Sequence, residues 1–165
     1  MTASAQLSGI ASMDVELVKS GELWRLFSGH LAHITWNQYA VDASAFVILF
    51  ERYKKSCGLI SALSLLFLSA LAVSSEIIFS GCCQIYAGLS GINCAAFSVI
   101  LITFLIAHPY WPSLWIIAAV FIGYLTIGDK SIISGVNVAR EAHLTGALTG
   151  VLFAFIRAKF YKTIH

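Results

Sequence analysis

The chain has 165 residues, 59% of them hydrophobic and 11% charged, with a net charge of +2 and a mean hydropathy of +0.85. A soluble domain carries about 25% charged residues, so this composition excludes a water-soluble globule and describes a polytopic membrane protein. The small net charge leaves no electrostatic footprint for nucleic acid, so none is expected as a partner.

A spanning helix needs roughly 20 mainly apolar residues. Residues 1–20 contain no such run and form an N-terminal segment without an assigned structure; residues 21–165 read as one membrane domain. Within it, five segments approach the required length. The first covers 33–50 and is the weakest, interrupted by Asn37, Gln38 and Asp42. The second covers 57–79, with Glu76 near its end at the outer surface. The third covers 85–106, and the fourth covers 111–127 after a Pro109-Tyr110-Trp111-Pro112 turn with interfacial aromatics. The fifth covers 138–156. Cys57, Cys82, Cys83 and Cys94 have no metal-ligand spacing, and adjacent Cys82-Cys83 is a poor disulfide pair. They read as small buried hydrophobes, and no metal or cofactor is expected.

The cations orient the segments. Arg52, Lys54 and Lys55 follow the first, and Arg157, Lys159 and Lys162 follow the fifth. Five crossings put both groups on one side, which the positive-inside rule makes cytoplasmic. Lys19, Arg25, Lys130 and Arg140 fall outside, as do the loops at 80–84 and 128–141. The third and fifth segments then enter from the outer face. Ser90 and His143 are expected about five residues in, roughly 7–8 Å deep at 1.5 Å per residue. Gln38 lies at a comparable depth and Asp42 about one turn deeper. Four polar groups on three helices thus share one layer, and polar groups at membrane depth default to a functional hypothesis.

A hydroxyl and an imidazole are the minimum for a base-activated nucleophile. Close helix approach is encoded beside them. Ala142, Gly146 and Gly150 recur every four residues on the fifth segment, and Gly88, Gly91 and Ala95 give the third a similar small face. Small faces let two membrane helices come together, and here they would bring His143 to Ser90. His30, His33 and His108 are expected at interfaces, and Trp24 and Arg25 as structural anchors of an outer loop.

The soluble serine-hydrolase elbow G-x-S-x-G fails, because Ile92 follows Gly91. Gly88-Leu89-Ser90-Gly91 with a later Ala142-His143-Leu144-Thr145-Gly146 is instead similar to the rhomboid family of intramembrane serine proteases. The block Gly21-Glu22-Leu23-Trp24-Arg25-Leu26-Phe27-Ser28-Gly29-His30-Leu31 resembles the W-R-L stretch ahead of that family's second core helix. The fuller pattern, Tyr86 to Gly91 with Glu141 to Leu148, most resembles the rhombosortase branch.

The resemblance implies an all-α rhomboid-like bundle with about five spanning helices, the first of the family's six missing. It implies a Ser-His dyad, with Ser90 as nucleophile and His143 as base, and no cofactor. It places the protein in a bacterial inner membrane, its active site toward the periplasm. The implied substrates are transmembrane or membrane-anchored proteins, such as secreted proteins whose C-terminal tails bear a Gly-Gly motif, a transmembrane helix and basic residues. Alignment puts Gln38 and Asp42 where the family has an H-x-x-x-N pair lining the oxyanion site, with Gly88 and Gly91 in support. Gln38 can donate there; an ionised Asp42 cannot. Cys94 and Ala95 replace a His-Gly pair frequent in the branch. A non-catalytic rhomboid-like binder of transmembrane helices is the competing reading, favoured by Gln38 and Asp42. A small transporter would show internal repeats or paired broken helices, and the sequence has neither.

Overall fold

The computed structural model describes residues 10–126 and 139–164, the side chains of 160–164 excepted. Residues 1–9, most of the expected outer loop at 128–141 with Lys130, and the side chain of Lys162 lie outside the described residues. Asp14 caps the helix that follows it by accepting from the backbone N–H groups of Glu16 and Leu17, at 3.0 and 3.2 Å. Such a cap satisfies donors that have no partner inside the helix. The elements are β1 (Met13–Asp14), α1 (Val15–Lys19), α2 (Arg25–Leu31), α3 (Trp36–Cys57), α4 (Leu59–Ser80), β2 (Ile85–Tyr86), α5 (Ser90–Ala107), α6 (Pro112–Thr126) and α7 (Arg140–Ile164).

Five long helices make the bundle. Two of them, α4 and α5, are by themselves long and apolar enough to cross a membrane. The 22-residue α3 and 25-residue α7 are long enough but carry charges, and α6 has 15 residues. Helix α5 lies at the centre, packed on α3, α4, α6 and α7. Helices α3 and α4 meet at Gly58, whose φ of +83° ends one and begins the other. Only glycine adopts that region without strain.

Two expectations change. The third apolar segment does not become helix at residue 85. Ile85 and Tyr86 pair antiparallel with Asp14 and Met13, so Ser90 is the first residue of α5 rather than about five residues inside it. Among the described residues the otherwise helical chain thereby carries one short strand pair. His30 is not interfacial: it is 2% exposed, in the protein interior. His108 is exposed and stacks on Trp111, with centroids 4.7 Å apart.

At the bundle end away from Ser90, Arg157 donates to Ser61 Oγ at 3.0 Å and to Tyr53 OH at 3.3 Å. Tyr53 and Ser61 also bond each other at 3.0 Å. One of the orienting cations thus clasps α7 to α3 and α4, and a charged donor makes such a bond stronger than a neutral one.

Candidate active site

The segment before α3 forms the platform. Arg25 donates to the Ser12 carbonyl at 2.7 Å and pairs with Glu22 at 2.6 Å, while Ser28 donates to the Ala11 carbonyl at 2.8 Å. A Cβ on Gly29 would lie 2.6 Å from Met13 Cβ, so its bare Cα is what lets α2 sit on β1. Gly29 in turn accepts from the backbone N–H of Gly88 at 3.1 Å. His30 Nε2 lies 3.1 Å from Ser74 Oγ and 3.2 Å from the Ala70 carbonyl. Since Ser74 donates its hydroxyl proton to Leu26 O at 2.7 Å, Nε2 is the donor to both. Burial lowers the His30 pKa to about 4, outweighing the carbonyls of Ala70 and Gly88, so the ring is neutral near pH 7. Tyr86 meets it edge-on and donates to the Gly88 carbonyl at 2.9 Å. Arg25, buried, thus belongs to a scaffold that fixes residues 86–88, whereas Trp24 is exposed at the head of α2.

On this platform Ser90 Oγ lies 2.8 Å from His143 Nε2. Ser90 opens α5, where the first backbone N–H groups of a helix have no internal partner and favour negative charge. His143 is buried in the first turn of α7. Its ring stacks on Tyr124 of α6, with centroids 5.5 Å apart and planes 24° apart.

The contact depends on an α5–α7 seam without side chains. A Cβ on Gly146 would stand 2.0 Å from the Gly91 carbonyl oxygen, and one on Gly150 would stand 2.1 Å from that of Ala95. From the other side, a Cβ on Gly91 would lie 3.1 Å from the carbonyl of fully buried Ala142. At Gly91, Gly146 and Gly150 the two backbones come into direct contact.

Gly88 has φ +146°, and the space where its Cβ would stand is shared by three polar atoms. Gln38 Nε2 is 2.8 Å from that point, Asp42 Oδ2 3.4 Å and Ser90 Oγ 3.8 Å. Gln38 is itself fixed, donating to the Ala87 carbonyl at 3.0 Å and accepting from Ile34 N–H at 3.1 Å. Its amide is therefore oriented by the loop ahead of Ser90. Asp42 Oδ2 makes no hydrogen bond. The structure thus brings Ser90, His143, Gln38, Asp42 and Gly88 together, with Gly91, Ala142, Gly146 and Gly150 forming the seam behind them.

Three neighbours do not stand out in the sequence. Asn93, 8% exposed, donates to the Asp42 carbonyl at 3.0 Å and ties α5 to α3. Its signal is an amide inside an apolar run. His33 Nε2 lies 3.4 Å from Asp42 Oδ2. Tyr124 carries no signal that separates it from a lipid-facing aromatic. Cys94 and Ala95 are buried packing residues, and Cys82 and Cys83 hold their sulfurs 3.5 Å apart as free thiols.

A helical bundle with apolar, membrane-length helices and a Ser–His contact at one end defines a membrane protein with a polar site. A family model described as the rhomboid domain matches residues 20–160, and the chain belongs to the rhomboid family. It is an integral membrane protein of a family that acts on membrane proteins within the bilayer; its members are in general intramembrane serine proteases, some of them inactive. No curated protein matches the chain.

Proposed function

We propose that the protein is an intramembrane serine endopeptidase working through a Ser90–His143 dyad. The observation that carries this reading is the 2.8 Å approach of Ser90 Oγ to His143 Nε2 at the start of an 18-residue helix. Ser90 Oγ attacks a backbone carbonyl of a substrate helix unwound near small residues, and His143 Nε2 takes the hydroxyl proton. The tetrahedral oxyanion is met by the Ser90 backbone N–H and by the Gln38 amide. His143 then protonates the leaving amine, and water activated by the same imidazole releases the acyl group. Stacking on Tyr124 supports the ring in the required plane.

The substrates are transmembrane or membrane-anchored proteins, with C-terminal Gly-Gly tails of secreted proteins as the class that the rhombosortase resemblance favours. The rhombosortase resemblance favours a bacterial inner membrane, and the cation distribution favours a site facing its outer, periplasmic side. A non-catalytic binder of transmembrane helices is the second reading, and the acidic Asp42 beside the site favours it.

The test is cleavage of a Gly-Gly-tailed membrane substrate by the full chain in liposomes. Ser90→Ala and His143→Ala should each abolish product while expression and thermal unfolding stay near wild type. Undiminished cleavage by Ser90→Ala would remove this nucleophile. Retained substrate binding without product from the wild-type chain would support the binder.

A further inference from the structure

His33 precedes α3, and its two ring nitrogens have different partners. Nδ1 lies 3.1 Å from the Leu31 carbonyl oxygen, which can only accept, so Nδ1 carries a proton. Nε2 faces Asp42 Oδ2 at 3.4 Å. Both of those atoms are buried, and neither makes a hydrogen bond. With no proton between them, two sets of lone pairs would face each other away from water, an arrangement that buried polar groups avoid. A single proton on either atom resolves it, as imidazolium with carboxylate or as imidazole with carboxylic acid. Both forms are neutral as a pair. Removing the proton leaves one negative charge beside the opening at Gly88 that Ser90 Oγ shares.

We propose that His33 and Asp42 hold one proton between them, and that this proton keeps the carboxyl from opposing the oxyanion at Ser90. His33 is then a positioning residue acting through Asp42, and the inference rests on the serine-protease reading. Among the described residues, titratable groups within electrostatic reach of Asp42 include Tyr86 from β2, Cys94 from α5, Tyr124 from α6 and His143 from α7. Tyr39 of α3 packs edge-on against His33, with centroids 5.2 Å apart. Tyrosine and cysteine ordinarily titrate above about 8. Two nearer events therefore shape the pH profile, in opposite directions. Activity rises with pH as His143 becomes a neutral base, and falls with pH as the pair loses its proton.

The test uses the purified full chain. Its first readout is kcat/KM against pH on the Gly-Gly-tailed substrate for wild type, Asp42→Asn and His33→Gln. Its second is the nitrogen-15 spectrum of the His33 ring in a Ser90→Ala background, which follows protonation without turnover. Asp42→Asn, nearly isosteric and still able to donate to Nε2, should lose the alkaline limb and keep the acid limb. His33→Gln, which takes the shared proton from Asp42, should reduce kcat at pH 8 about tenfold or more, with KM little changed. The His33 ring nitrogen-15 signals should differ between wild type and Asp42→Asn across the same pH series. An identical His33 titration in wild type and Asp42→Asn overturns the shared proton whatever the activity. An unchanged alkaline limb in Asp42→Asn overturns its role in catalysis. Cleavage that survives Ser90→Ala removes the protease reading instead, and leaves the spectrum to judge the pair.

Discussion

Helices α7 and α6 both reach the Ser90–His143 contact, and they are held in opposite ways. Helix α7 meets α5 through glycines whose missing side chains bring backbones into contact. Helix α6 has one buried residue among its fifteen, Leu125. Between α5, α6 and α7 lies an apolar cavity of about 230 Å³, lined by Leu101, Phe121, Leu125 and Leu148 among others. The difference separates two kinds of contribution to one site. The seam sets the distance between Ser90 and His143, and α6 offers an aromatic plane from a helix with little buried surface of its own.

Glycine replacement is the sharpest way to break that contrast. Gly146→Ala puts a carbon against the backbone of Gly91, which cannot rotate aside, so the helices must separate. Overpacking of this kind costs on the order of 1–3 kcal/mol. Thermal unfolding should fall accordingly, and cleavage should be lost with it because the dyad opens. A stable, active Gly146→Ala would show that the seam does not set the dyad distance.

The tightly held side also depends on burying neutral His30. Its folded pKa, about 4, lies below the ordinary 6.5, so the unfolded chain binds more protons between these values. The stabilisation is complete above about pH 6.5 and is lost as pH falls toward 4, by roughly 3 kcal/mol at most. Chemical unfolding followed across that range should show this slope, and His30→Gln should flatten it.

On α6, removing the ring with Tyr124→Ala should lower kcat only about two- to tenfold, as expected for a contact worth 0.5–1.5 kcal/mol. Tyr124→Phe should restore the rate; failure to do so would assign the effect to the hydroxyl. Gly123→Ala should do least of all. A Cβ there meets nothing within 4 Å, and both unfolding and cleavage should stay near wild type.

The five long helices are legible because apolar runs of that length have few other solutions. The start of α5 is not. Ile85, Tyr86 and Leu89 are as apolar as the helix they precede, and their partners Met13 and Asp14 lie some seventy residues earlier. No local pattern carries a pairing of that range. Ser90, His143, Gln38, Asp42 and Gly88 stand out as polar or small positions in apolar surroundings, and the fold sets them side by side. His33 sits at a segment edge, where histidines are ordinarily solvated, and its role emerges only once Asp42 lies beside it. The interior place of His30 is equally hidden, because it depends on Ser74 and Ala70 of another helix.

The β1–β2 pair also constrains how the protein is made. Strands joined by backbone hydrogen bonds lie on the same side of the bilayer, so the chain between them must leave that side and return, crossing an even number of times. Helices α3 and α4 supply those two passages, with only Gly58 between them, and thus enter the membrane as one hairpin. The first strand to be synthesised waits unpaired until that hairpin has been threaded. The loop ahead of Ser90 closes only then, on a partner made well before it.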